Sequence, residues 1–157
     1  MELSQQSDKY LTFRSADEEY GIPIKKVKEI IGIMEITHMP KAPKFIKGVI
    51  NLRGKIIPVM DLRLKLELEG KEYNERTCII VIEVDTPESK RQIGIIVDIV
   101  SEVVMIQVAD IESPPQYSDQ DAENYLLGIG KVKDKVILLL DIEKVFGSND
   151  LFLLKEI

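Results

Sequence analysis

The chain has 157 residues, 45% of them hydrophobic, and a formal net charge of −6. This length suits one domain, or two very small ones that share a core, and the hydrophobic content excludes an intrinsically disordered chain. The acidic balance argues against a general nucleic-acid binder, which needs a basic face, and no apolar run approaches the roughly 20 residues of a transmembrane helix.

Apolar spacing predicts the first elements. Alternating apolar residues predict strands at 10–13 and 20–24, separated by a polar turn at 15–19. The next apolar residues have the spacing of one helix face and predict a short helical turn; they are Ile24, Val27, Ile30 and Ile31. A further strand is expected at 33–39, before a loop that contains two prolines.

A β-hairpin follows, and its tip has an unusual composition. Two apolar runs flank the sequence NLRGK at residues 51–55. Gly54 supplies the positive φ that a tight two-residue turn needs, but the turn does not require Arg53 beside it. Asp61 then stands at the N-cap position of a short predicted helix.

The second half of the chain repeats this order. After a strand at 78–84, residues 94–104 align with 21–31, and 127–146 align with 47–66. In the second alignment Gly128 falls on Gly48 and Asp141 on Asp61, while Val132-Lys133-Asp134 replaces Leu52-Arg53-Gly54 at the tip. The turn is therefore shared by both halves, and the arginine is specific to the first.

The repeat predicts a mainly β fold of two pseudo-repeated, five-stranded β-barrels packed together, with short helices. The first subdomain is expected at about 9–67 with the terminal segments, and the second at about 77–147. Residues 107–126 resemble an exposed insertion, and 148–157 are expected to form a C-terminal helix. All of 1–157 is expected to form one free-standing domain.

Residues that could carry catalysis are few. One histidine, His38, and one cysteine, Cys78, cannot form a zinc cluster without carboxylates as the main ligands, and no phosphate-binding loop motif is present. Asp61 and Asp141 could be a pair for acid–base catalysis, but their equivalent places in the repeat favour helix capping. We therefore expect no catalytic residue, no metal and no cofactor.

Surface features remain to explain the function. Residues 41–65 have a net charge of +6 and residues 107–123 one of −5, an asymmetry that can steer a protein partner. The apolar residues Ile24, Val27 and Ile30, with their repeat counterparts Val97, Val100 and Val103, are either core or an apolar groove for a partner helix. A β-barrel that binds nucleic acid or a small ligand is the alternative, and the net charge and the scattered aromatic residues disfavour it.

Four segments resemble the CheW family of chemotaxis coupling proteins: YGIPIKKVKEIIG, FIKGVINLRGKIIPVMDLRLKL, IGIIVDIVSEVV and LGIGKVKDKVILLLDIEKVF. The resemblance runs from about residue 9 to residue 147. It implies two SH3-like β-barrels and a non-catalytic adaptor. Such an adaptor couples the cytoplasmic tips of methyl-accepting chemoreceptors to the regulatory domain of the histidine kinase CheA. The amino terminus has no signal-peptide pattern, and a cytoplasmic location is expected, without nucleic acid or membrane insertion.

The resemblance also implies which residues contact partners. By matching motif, and by the repeat for the last two, the expected partner-binding residues are Leu11, Ile24, Val27, Glu29, Ile30, Gly48, Asn51, Arg53, Gly54, Val97 and Val100. Gly54, Asp61 and Asp141 are also expected in turns and caps. Pro23 and Ile31 depart from the family, which is more often polar at these positions.

Overall fold

The computed structural model describes residues 7–85, 89–114 and 125–146. The strands are β1 Ser7–Ser15, β2 Glu18–Pro23, β3 Val27–Gly32, β4 Ile46–Leu52, β5 Lys55–Asp61, β6 Cys78–Asp85, β7 Lys90–Val97, β8 Ile99–Gln107, β9 Ile111–Glu112, β10 Leu126–Val132 and β11 Lys135–Leu140. Two single-turn helices, α1 Leu62–Lys65 and α2 Ile142–Val145, follow β5 and β11. Residues 24–26 and 108–110 form short 3₁₀ turns.

The strands form two sheets with corresponding topologies. The five-stranded sheet has the order β3-β6-β7-β5-β4, and the six-stranded sheet has the order β8-β1-β2-β11-β10-β9. Each sheet contains one parallel pair, β5 with β7 and β11 with β2, and the other neighbours are antiparallel. The predicted mainly β class, with two pseudo-repeated β units and short helices, is confirmed, and the two-residue strand β9 gives one sheet six strands where five were predicted.

The sheets are divided differently from the predicted subdomains 9–67 and 77–147. Strands β3–β5 pair with β6 and β7 from the second half of the chain, and β8–β11 pair with β1 and β2 from the first half. Each half therefore gives its first two strands to the sheet of the other half. Local patterns predict the strands and turns, but this exchange depends on pairings between residues far apart in sequence.

The helical turn predicted over 24–31 is wrong. A three-residue 3₁₀ turn covers only 24–26, and β3 follows directly. Half-buried and exposed residues alternate along β3, which is the period of a strand. In the region predicted as a strand at 33–39, Thr37 forms one isolated bridge to Val49. The predicted helix at 148–157 lies outside the described residues, as does half of the predicted insertion, 115–124.

A shared core joins the two sheets. One buried cluster contains Leu11 and Ile22 from the six-stranded sheet together with Ile80 and Ile95 from the five-stranded sheet. Each sheet also encloses a smaller buried cluster of its own. Because the largest cluster takes side chains from both sheets, apolar burial holds them together as one body.

Candidate functional site

The tip of the β4–β5 hairpin is a two-residue turn. Arg53 and Gly54 both have positive φ, 53° and 88°, as a type I′ turn requires. The amide N–H of Gly54 donates to Oδ1 of Asn51 at 2.8 Å, which closes the turn from the strand side. Asn51 and Gly54 therefore build the tip, and Arg53 projects from it with its side chain 69% exposed.

Arg53 forms an ion pair with Glu29 on β3, in which a guanidinium N–H donates to the carboxylate. The bond to Glu29 is the main cause that raises the pKa of Arg53 above its ordinary value. β3 and β4 are the opposite edges of the five-stranded sheet, so this pair is a side-chain contact between the two edges. The structure thus brings together two residues that the sequence indicated separately.

Apolar residues on two edge strands lie beside the junction of the sheets. Ile24, Val27 and Val100 are half-buried and pack against the shared core, whereas Ile30 is 43% exposed. Val27 and Ile30 lie on β3, and Val100 lies on β8, the corresponding edge of the six-stranded sheet. These side chains could supply apolar contact to a partner helix.

Two exposed apolar residues lie on β8: Val103, which the sequence indicated as core or groove, and Met105, which it did not indicate. Val103 and Met105 are 50% and 59% exposed and lie two residues apart on one face of the strand. Val103 corresponds to Ile30 in the repeat alignment. The apolar run 103–106 is typical of a strand, but four apolar residues in succession do not indicate which face is exposed.

Three of the expected partner-binding residues are internal. Leu11 and Val97 are only 2% and 1% exposed, because both lie on strands with neighbours on either side and face the shared core. Gly48 has φ 144°, and a Cβ there would lie 2.0 Å from the carbonyl oxygen of Thr37. These residues are not accessible to a partner, and Gly48 instead allows close backbone approach within the chain.

Asp61 and Asp141 occupy N-cap positions. The Asp61 carboxylate accepts a hydrogen bond from the backbone N–H of Arg63 at 2.9 Å, and that of Asp141 accepts one from Lys144 at 3.3 Å. Asp61 is buried and also accepts a hydrogen bond from the Tyr73 hydroxyl at 2.7 Å. Burial and then this bond raise the pKa of Tyr73. Both carboxylates are thus engaged in capping, each at the end of a different sheet.

Each single-turn helix forms one further ion pair. Through these pairs α1 contacts the residue that follows β7, and α2 contacts the 3₁₀ turn that follows β2. The Arg63 guanidinium donates to both carboxylate oxygens of Asp98, with Nη2–Oδ2 at 2.6 Å, and Lys26 donates to Glu143 at 2.9 Å. Asp98 also accepts from the amide of Ala16 at 3.1 Å. Burial alone would raise the pKa of Asp98, but the bonds from Arg63 and Ala16 hold it below its ordinary value.

The described ranges, 7–85, 89–114 and 125–146, contain no group of three or more histidine, cysteine or acidic side chains arranged to hold a metal ion. Cys78 is half-buried, and its thiol contacts the backbone carbonyl of Arg76 at 3.3 Å. In the same part of the chain, no helix has both the length and the apolar character that crossing a membrane requires.

Comparisons with known proteins agree on one family. A family model for the CheW-like domain matches residues 9–150. The chain is 39% identical over 148 residues to the chemotaxis protein CheW of Klebsiella aerogenes, covering 94% of this chain and 87% of that protein. It is 31% identical over 141 residues to the protein FrzA of Myxococcus xanthus, covering 88% and 85%.

A solved structure has the same fold. The scaffolding protein TtCheW from Thermoanaerobacter tengcongensis superposes with a TM-score of 0.80 at 36% sequence identity. The match covers 92% of this chain and 91% of that one, so both sheets are included in the likeness.

Proposed function

The chain belongs to the CheW family, and on that premise we propose that it is a non-catalytic scaffold that couples the cytoplasmic tips of chemoreceptors to the regulatory domain of CheA. The relatives named for chemotaxis and the solved scaffolding protein support this role. The role would place the chain in the cytoplasm, at receptor arrays. The exposed ion pair of Arg53 and Glu29 is the observation that carries the proposed binding site.

The ion pair holds a charged group ready for recognition. Glu29 engages a guanidinium N–H of Arg53 and so limits the rotamers of a side chain that is otherwise exposed. The remaining N–H donors of the planar guanidinium face solvent and suit a carboxylate on a partner protein. Since the tip backbone is fixed by its own turn, little further ordering is needed when the partner binds.

The apolar part of the site would bind a receptor helix. Ile24, Val27 and Val100 are half-buried against the core, so their positions are fixed, and Ile30 offers exposed apolar area on β3. An amphipathic helix places its apolar side chains in such a surface at every third or fourth residue. Charged recognition at Arg53 and apolar contact at Ile30 would then act on the two sides of one edge strand, because Glu29 and Ile30 are consecutive residues of β3 and point to opposite faces.

Titration calorimetry with a receptor cytoplasmic fragment and, separately, the CheA regulatory domain tests the proposal. We expect Arg53→Ala to weaken binding of at least one partner by about tenfold or more, as for an anchoring arginine in an interface. Arg53→Lys should not restore full affinity, because lysine cannot make the forked contact. Lys133→Ala, at the corresponding tip of the β10–β11 hairpin, is the matched control and should bind as the unmodified chain does.

Unchanged affinity for both partners in both Arg53 variants would overturn the proposed site. Absence of any binding by the unmodified chain to either partner would overturn the proposed function itself.

A further inference from the structure

Strand β8 contains one residue more than the part of β1 beside it. Leu11 of β1 lies opposite Val103 and Phe13 lies opposite Val100, so a step of two residues on β1 matches a step of three on β8. Such a β-bulge turns the residues that follow it to the other face of the sheet. Val100 and Val103 therefore lie on the same face, the one from which Leu11 and Phe13 enter the shared core.

Strand β3, the corresponding edge of the five-stranded sheet, has a bulge as well. Val27 lies opposite Ile82 and Ile30 lies opposite Ile80, again three residues against two. Val27 and Ile30 therefore also lie on the face of the shared core, which contains Ile80 and Ile82. The two bulges explain why these apolar residues are three apart in the sequence although they lie on strands.

The bulges decide which side chain each edge strand presents on this face. In a register without the extra residue, Glu102 would take the place of Val103, and Glu29 would take the place of Ile30. The two glutamates are equivalent in the sequence repeat. Each bulge thus removes a carboxylate from the apolar face and replaces it with a branched apolar side chain, 50% exposed at Val103 and 43% exposed at Ile30.

The hydroxyl of Thr12 holds the bulge on β8. Thr12 is fully buried, and the register of β1 with β8 passes over it. Its Oγ1 donates to the carbonyl oxygen of Glu102 at 2.8 Å and accepts from the amide N–H of Glu102 at 3.2 Å. One side chain thus satisfies both backbone groups of the residue that the bulge displaces.

On β6 a valine occupies the place that Thr12 has on β1. Val81 stands between the residues opposite Val27 and Ile30, and it is itself opposite Glu29. It is buried and packs inside the five-stranded sheet. Valine has nearly the shape of threonine, so we expect a valine to fit at position 12 without the hydroxyl.

We propose that Thr12 is a positioning residue for the receptor helix: its hydroxyl fixes the bulge and so presents Val103, instead of Glu102, beside Val100. The inference rests on the proposed function, which already uses Val100, and it extends the apolar site along β8. Apolar residues on both edge strands, all on the face of the shared core, suit one amphipathic helix. Thr12 is buried and does not touch this helix, so it acts through the backbone of Glu102.

Titration calorimetry with a receptor cytoplasmic fragment tests the role of the hydroxyl. Thr12→Val removes it and keeps the side-chain shape, and we expect binding to weaken by about threefold to tenfold, because the position of Val103 is no longer fixed in advance. Thr12→Ser keeps the hydroxyl and should bind as the unmodified chain does. Ile137→Val shortens a buried side chain of the same sheet, away from the bulge, and is the control for a loss of stability alone.

Amide hydrogen exchange reports on the bulge without any partner. In Thr12→Val the Glu102 amide loses its acceptor, so it should exchange at least about tenfold faster relative to the amides of the central strand β6. Thr12→Ser and Ile137→Val should leave this ratio unchanged.

Val103→Glu tests the apolar contact directly, because it returns to the face the charge that the bulge removes. It should weaken binding of the receptor fragment by about tenfold or more. Val136→Glu is the matched control, since Val136 on β11 of the same sheet is similarly exposed, at 58%, and it should bind the fragment as the unmodified chain does.

Unchanged affinity in Thr12→Val or in Val103→Glu would overturn this inference and leave the proposed function in place. An equal loss of affinity in Thr12→Val and Ile137→Val, or failure of Thr12→Val to fold, would also overturn it, because Thr12 would then serve the stability of the fold alone. Absence of binding by the unmodified chain would overturn the proposed function and this inference together.

Discussion

The two hairpins β4–β5 and β10–β11 are built alike. Each has a register shift at its start, between Ile46 and Gly48 in one and between Leu126 and Gly128 in the other. The first tip residue has a left-handed backbone in both, with φ 53° at Arg53 and 58° at Lys133. These shared features show which parts of the repeat are needed for the architecture.

The hairpins differ in what their side chains contact. Arg53 is paired with Glu29, and among the described residues Lys133 forms no corresponding ion pair. At the other end, the cap Asp61 is buried and bonded to Tyr73, whereas Asp141 is half-buried. The two hairpins thus share a backbone, but the first also has an exposed ion pair at its tip and a buried hydrogen bond at its cap. Only the exposed pair of Arg53 with Glu29 is available to a partner.

Gly48 and Gly128 lie at the register shifts of the two hairpins. Replacing them with alanine should give the largest losses of stability, and the loss should be greater at Gly48. Gly48→Ala is expected to cost at least about 3 kcal/mol, because φ 144° strains any side chain and the new Cβ would be 2.0 Å from the Thr37 carbonyl. At Gly128 the new Cβ would be 2.5 Å from the Cγ2 methyl of Ile111 and 3.0 Å from the carbonyl oxygen of Glu112, but without the strained φ, so Gly128→Ala should cost less, about 1–3 kcal/mol. Urea unfolding measures both, and equal losses would contradict the inequality.

The caps should show an intermediate effect. Asp141→Ala should cost about 1 kcal/mol for the lost cap, while Asp61→Ala should cost about 2–3 kcal/mol, because it also leaves the part-buried Tyr73 hydroxyl without its acceptor. Asp61→Asn keeps the oxygen that caps the helix but replaces the one that accepts from the Tyr73 hydroxyl with an NH2 group, so its cost should lie below that of Asp61→Ala. Thermal and urea unfolding give the values.

A second substitution separates the two parts of the Asp61 effect. In the Tyr73→Phe background no hydroxyl remains to be satisfied, so Asp61→Ala should fall to the cost of the cap alone. An undiminished loss in that background would show that Tyr73 is not the reason for the difference between the hairpins.

Sequence patterns predicted the features that depend on neighbours along the chain. The turn at Gly54 and the caps at Asp61 and Asp141 follow from backbone preferences of single residues, and the structure has them at those positions. The segment 24–31 was misinterpreted because apolar residues three apart fit a helix face, yet the first belongs to a 3₁₀ turn and the rest to a strand. A short apolar run does not distinguish these periods.

Features that depend on distant pairings could not be read from the sequence. The resemblance indicated Leu11 and the repeat indicated Val97, but burial is set by neighbouring strands, and for each residue one of these comes from the other half of the chain. The partnership of Glu29 with Arg53 likewise requires that the sheet edges meet, which no local pattern specifies. The sequence therefore identified members of the site without their contacts.

The tip should show the smallest effect on stability, and this sharpens the comparison between the hairpins. Arg53 is exposed and its pair with Glu29 is open to solvent, where ion pairs contribute little to folding. Arg53→Ala and Lys133→Ala should each leave Tm unchanged within about 2 °C, because the turn backbone depends on neither side chain.

Glu29→Gln is the further control, since it removes the charge that faces Arg53 and keeps the side-chain size. Differential scanning calorimetry at low and high salt measures all three variants. A clear loss of Tm for Arg53→Ala and Glu29→Gln, but not for Lys133→Ala, would mean that the ion pair holds the sheet edges together, and the arginine would then belong to the architecture that the second hairpin achieves without it.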